Sequence, residues 1–167
     1  MIERSTGSSQ MLESPLDGSC MCGRVRFQID KVILPYVLCH CNSCKKATGS
    51  AYAANIAVPL EDFQLIEGAD LIQTYESSPG KVRHFCGSCA TPLYTLVGEK
   101  PKFTRVRLGS LDSDFSATPA AHIFVQSKAD WESITDSLPQ FSEWPEPGIL
   151  NIPGSRQSTH NGQRPDG

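Results

Sequence analysis

Polar and apolar residues alternate through residues 24–29 (Arg-Val-Arg-Phe-Gln-Ile), the period-two pattern of a strand with one buried face. Residues 36–39 form a short apolar run, and residues 51–58 and 63–67 are further strand candidates. Gly68-Ala69-Asp70 marks a turn. Residues 71–75 and 81–85 flank a Ser-Ser-Pro-Gly sequence and predict a hairpin. Residues 91–97, 104–108 and 122–125 complete the set. Helix is scarce, with single turns expected at residues 60–63, after Pro59, and at 111–114. Short strands punctuated by Gly and Pro predict a mainly β domain with little helix.

The chain has 167 residues, the size of one domain. Polar, Ser- and Gly-bearing residues 1–15 predict a flexible N-terminal segment. Residues 147–167 are rich in Pro, Gly and polar side chains and predict a flexible tail, leaving residues 16–146 as the folded domain. Charged residues make up 20% and the net charge is −3, which argues against a nucleic acid held by a basic surface. No window approaches the roughly 18 apolar residues of a membrane span, so no membrane partner is expected. The N-terminus has no apolar core of a secretory signal. The expectation is a cytoplasmic protein.

Seven cysteines change the picture. An odd number excludes complete intramolecular pairing, and in a reducing compartment clustered cysteines more often bind metal. Cys20-Met21-Cys22-Gly23 and Cys86-Gly87-Ser88-Cys89 each place two thiols on a tight turn. Two such turns brought together form the tetrahedral four-thiolate shell that zinc accepts without strain. Cys39-His40-Cys41-Asn42-Ser43-Cys44 offers three more thiols in six residues. Three protein ligands with a fourth position left to water or substrate are the pattern of a catalytic zinc. Two zinc ions per chain are expected, one structural and one catalytic. Plainer readings stand beside this: the first four cysteines as buried thiols, and the triad as a second structural site closed by His40 or His84. In an extended segment His40 points away from its neighbours' metal. Lys45 and Lys46 read as a solvated face or an anion-binding pair. Trp131, Phe141 and Trp144 read as core or lid packing.

Three segments resemble the glutathione-dependent formaldehyde-activating enzyme family, which includes centromere protein V. They are residues 18–27 around Cys20 and Cys22, residues 39–50 around the triad, and residues 85–94 around Cys86 and Cys89. A weaker fourth runs from His122 through Trp131 to Phe141. The resemblance implies a fold of several coiled antiparallel β-sheets. It also implies a structural zinc on Cys20, Cys22, Cys86 and Cys89 and a catalytic zinc on Cys39, Cys41 and Cys44. The implied activity is carbon–sulfur lyase chemistry that joins formaldehyde and glutathione, or splits their adduct S-hydroxymethylglutathione. Ala90 departs from the Gly usual in the family after the last cysteine.

A metal held by three thiolates favours exchange of soft sulfur ligands over generation of a strong hydroxide. The expected partner is therefore a small-molecule substrate such as a glutathione adduct. His40 and His84 are the candidate proton carriers, and Asn42, Gly49 and Ser50 the candidate hydrogen-bonders to substrate. Competing readings are an enzyme acting on another small metabolite without glutathione, and a non-catalytic zinc binding module. The latter calls for a basic tail, yet from Pro147 onward only Arg156, Arg164 and His160 are basic. Exposed strand edges permit a homodimer.

Overall fold

The computed structural model describes residues 11–150 and residue 152, with the backbone alone for residues 11–14. Nine strands and one α-helix follow one another: β1 (Met11–Ser19), β2 (Arg26–Cys39), α1 (Asn42–Thr48), β3 (Ala53–Pro59), β4 (Phe63–Glu67), β5 (Ile72–Ser78), β6 (Lys81–Cys86), β7 (Pro92–Val97), β8 (Phe103–Arg107) and β9 (Pro119–Ile123). The domain is mainly β, as expected.

All the strands belong to one hydrogen-bonded network in the order β1-β2-β3-β8-β7-β6-β5, with β4 and β9 attached to β2. The resemblance implies several sheets; the hydrogen bonding joins them into one, because β2 is long enough to be shared. Its first half pairs with β1 and β4, and its last residues pair with β3 and, in parallel, with β9. Every other pairing is antiparallel.

Period-two alternation sorts the side chains onto two faces. One face carries the larger core, including Val25, Phe27, Ile29, Ile56, Val58, Tyr94 and Val106. The other carries a smaller core of Ile33, Val37, Cys39, Cys44, Ala53, Ala57, Ala121 and Ile123. β3 shows the division within one strand, with Ile56 and Val58 on the first face and Ala53 and Ala57 on the second. The alanines leave room on the second face for helix α1 and the triad.

The structure departs from the sequence reading at several elements. Residues 26–29 of the expected strand 24–29, and residues 36–39, belong to one strand, β2, which runs through Asp30, Lys31 and Pro35, while Arg24 and Val25 precede it. β1 begins at Met11 and pairs with β2 from Met11 opposite Ile33, so residues 11–15 of the expected flexible segment are strand. Residues 1–10 lie outside the described residues. In the expected C-terminal tail, Leu150 and Ile152 pack against the second core, where two isolated aliphatics suffice to dock an otherwise polar segment; residues 151 and 153–167 lie outside the described residues. The single turn after Pro59 is a 3-10 turn over Leu60–Asp62, whereas the later turn falls at Leu108–Ser110, upstream of residues 111–114. No helix among the described residues is long and apolar enough to cross a membrane.

Candidate metal centres

The loop before β2 and the β6–β7 turn form the first centre. Cys20 donates its backbone N–H to Val25 O (3.0 Å), while Gly23 N–H closes back onto Cys20 O (2.8 Å). Gly23 takes a left-handed conformation, with φ 74°. The second turn repeats the arrangement: Ala90 N–H bonds Cys86 O (2.8 Å) and Cys86 N–H bonds Thr91 O (3.0 Å). Here Ala90 itself is left-handed, with φ 60°, which explains why Gly suits this position. The two turns are tied by Met21 N–H to Thr91 Oγ1 at 3.0 Å.

The sulfurs of Cys20, Cys22, Cys86 and Cys89 all lie within 4.8 Å of one another. Cys20 to Cys22 is 3.4 Å and Cys22 to Cys86 is 3.9 Å. Four thiolates at about 2.3 Å from a tetrahedral zinc would stand about 3.8 Å apart, so the set fits the ion. Donors around the sulfurs favour thiolates. The Thr91 hydroxyl and backbone pull Cys89 down to about 5, and Cys22 is lowered by the backbone N–H of Arg24. Burial pushes Cys20 up, a cost that a bound metal offsets.

The second centre forms where β2 ends and α1 begins. Cys39 is the last residue of β2, Cys41 is the N-cap of α1, and Cys44 lies in its first turn. The sequence reading did not anticipate this helix, because its seven residues carry no full amphipathic period. Lys45 N–H to Cys41 O (3.0 Å) closes the first turn, and Thr48 Oγ1 to Cys44 O (2.8 Å) fixes the last. The three sulfurs again lie within 4.8 Å of one another, and no described His, Asp, Glu or further Cys joins the set. The donors thus fit a zinc ion with three protein ligands. Hydrogen bonds from Cys39 and Cys41 hold the Cys44 thiol well below its ordinary range, with Lys81 and Arg107 adding favourable charge. Cys39 is pushed well above it by the same neighbours and by burial.

Neither His40 nor His84 joins the triad's donor set. His84 pairs with Tyr94 across β6 and β7 and stacks on its ring at 4.3 Å between centroids. That row continues to Val106 and Ile56, on the face opposite Cys39. His40 is fully buried, with 0% exposure. Its Nε2 lies 2.8 Å from His122 Nδ1, and His122 Nε2 lies 3.0 Å from Asp136 Oδ2. Burial, with the charge of His122, draws His40 down to about 4, so the ring is neutral at physiological pH.

Asn42 is exposed at the start of α1 beside the triad. Gly49 is the helix's left-handed C-cap, with φ 62°, and Ser50 follows it, about 10 Å of helix away. Gly49 therefore has a conformational reason for being glycine. Lys45 donates its Nζ to Ser127 O, tethering α1 to the turn that follows β9. Phe141 and Trp144 pack on the second core, whereas Trp131 is 73% exposed and belongs to no core. The sequence reading missed His122, Asp136, Arg83 and Arg107. Nothing in residues 104–108 beyond their strand pattern singled out Arg107, whose burial only the folded structure shows. His122 carried no signal beyond its place in a resembling segment.

A mainly β scaffold with a four-cysteine knuckle and a separate three-cysteine centre at a strand-to-helix junction defines a protein with two clusters that could each hold a metal ion. Residues 15–127 match the family described as glutathione-dependent formaldehyde-activating enzyme, and the chain belongs to that family. A relative from Halomonas elongata, named "Putative glutathione-dependent formaldehyde-activating enzyme", is 34% identical over 128 residues, covering 71% of this chain and 80% of that protein. A crystal structure of a Rhodobacter sphaeroides protein shares the fold, with TM-score 0.51 and 20% identity over 59% of this chain and 90% of that one.

Proposed function

We propose that this chain is a zinc-dependent carbon–sulfur lyase that makes or breaks a thiol–aldehyde adduct such as S-hydroxymethylglutathione. The observation that carries the reading is the triad of Cys39, Cys41 and Cys44, whose sulfurs gather within 4.8 Å without a fourth described protein ligand. Zinc bound there would supply Lewis acidity and would stabilise a substrate sulfur as the thiolate, the nucleophilic form. Addition of a thiol S–H across an aldehyde C=O makes one C–S and one O–H bond; the reverse reaction breaks both, and neither direction needs a further reagent.

The chain's own residues supply position. Burial of Cys39 and Cys44 fixes two of the three sulfurs, while the partly exposed Cys41 marks the side from which substrate arrives. Asn42, exposed at the start of α1, is the nearest of the expected hydrogen-bonders. His40 acts as a positioning residue: neutral and tied to His122, it braces the backbone between Cys39 and Cys41. Reduced thiols as ligands and substrate favour a cytoplasmic setting for this chemistry.

The test is a metal count together with NMR exchange spectroscopy on formaldehyde and glutathione. Two zinc ions per chain and accelerated exchange of the adduct are expected. Two zinc ions with exchange at the uncatalysed rate would refute the proposed pairing of thiol and aldehyde.

A further inference from the structure

The sheet face that carries the triad also carries cations. In the register, Arg83 stands opposite Thr95, and Thr95 opposite Arg105. Arg105 stands opposite Ala57 and Arg107 opposite Asn55. Asn55 and Ala53 in turn face Val37 and Cys39. Partners across a ladder share a face, so Arg83, Arg105, Arg107 and Cys39 project to the same side. Lys81, two residues before Arg83, joins them and acts on Cys44 by its charge.

Two of these cations are buried, Arg83 at 9% and Arg107 at 5% exposure. Arg107 gives Nη1 to Asn55 Oδ1 at 2.7 Å and feels the negative charge of Cys44. Three thiolates on a divalent ion leave one net negative charge, and Arg107 offsets it. Arg83 has no such counterpart. Its Nη2 is buried without a hydrogen-bond partner. Its charge also opposes that of Arg107. A buried guanidinium nitrogen left unpaired bears its full desolvation penalty. Arginines on β6 and β8 stand about 10 Å apart across one intervening strand, so their side chains can converge on a single ligand.

We infer that Arg83, together with Arg107, is the specificity-determining site that takes a carboxylate of the thiol substrate or its aldehyde adduct. The inference rests on the proposed function for the identity of the sulfur group. The carboxylate occupies the unpaired edge of Arg83, relieves the repulsion between the two guanidiniums, and holds the substrate sulfur on the triad's side of the sheet. A planar guanidinium fork matches a carboxylate better than an ammonium does.

Calorimetric binding of thioethers tests this without turnover, because a methylated sulfur cannot add to an aldehyde. The probes are S-methylglutathione and (methylthio)acetate, each compared with its methyl ester, on zinc-loaded protein. At least one acid is expected to bind about tenfold or more tightly than its ester. Arg83→Gln should remove that preference and leave ester binding unchanged, and Arg83→Lys should keep part of it, with metal content unaltered in both. The proposal is overturned if neither acid outbinds its ester, or if folded Arg83→Gln retains the preference. Should Arg83→Gln fail to fold, the acid–ester comparison on the native protein and on Arg83→Lys still decides. A null result in the exchange assay would sink the lyase reading and leave this binding result standing; the reverse outcome would remove the carboxylate site alone.

Discussion

The two knuckle turns offer a matched pair of backbone experiments. Ala90 sits at φ 60° and Gly23 at φ 74°, so one turn carries a side chain where the other has none. The left-handed region costs an L-residue roughly 1–2 kcal/mol. Replacing Ala90 by Gly removes that cost but gives the unfolded chain more freedom, which offsets about 0.4–1 kcal/mol. The net expectation for Ala90→Gly is a gain of about 0.5–1 kcal/mol. Gly23→Ala should do the opposite by a similar amount. A β-carbon at Gly23 would meet nothing within 4 Å, so its effect is conformational and not steric. For a chain of this length, these changes correspond to shifts in Tm of about 1–4 °C, upward for Ala90→Gly and downward for Gly23→Ala. Thermal and denaturant unfolding at fixed zinc concentration measures both, since metal binding is linked to folding. Loss of stability in Ala90→Gly, or no change in Gly23→Ala, would refute the account of these turns.

Three further outcomes follow from the same geometry. Cys41→Ser is expected to abolish adduct exchange while keeping one zinc ion and the fold, whereas Cys86→Ser should lose the cooperative fold; circular dichroism with metal analysis separates them. Gly18→Ala would drive a β-carbon to within 2.1 Å of the Phe27 ring, and should lower stability by about 1–3 kcal/mol in denaturant unfolding. His40 should be neutral at pH 6 and carry its proton on Nε2. The Asp136 carboxylate accepts from His122 Nε2–H, so His122 Nδ1 accepts from His40 when the His122 ring is neutral. Nitrogen-15 shifts read this directly, and imidazolium shifts at pH 6 would contradict it. Since the folded value of about 4 lies below the ordinary 6.5, folding favours the neutral ring. Its stabilisation is complete above about pH 6.5 and declines as the pH falls towards 4.

The cysteines were legible because metal ligation depends on spacing that tight turns impose locally. Cys20 with Cys22, and Cys86 with Cys89, declare themselves within four residues each. Strands such as β6 and β8 were legible for a similar reason, since alternation is a local signal. What sequence did not disclose depends on register. Arg83 and Arg107 look like ordinary surface cations until β7 is placed between their strands. The relation of His40 to Asp136 requires the parallel pairing of β2 with β9, which brings His122 opposite Leu38. α1 escaped notice because its short span is specified by neighbouring structure and not by its own periodicity. β2 was divided in the reading because charged residues and a proline interrupt its apolar pattern, although four neighbouring strands hold it continuous.

Placing Cys20 and Cys22 just before β2, with Cys39 at its end, has a consequence for biosynthesis. As the nascent chain leaves the ribosome, the triad is complete once Cys44 has emerged, whereas the knuckle waits for Cys89. At roughly 5–20 residues per second, the interval lasts about 2–9 s. Throughout it, the first two thiols are exposed beside a finished three-sulfur donor set. Metal captured then can draw Cys20 or Cys22 into the wrong shell, and the growing β2 is the spacer that holds the two sets of thiols apart until β6 and β7 arrive.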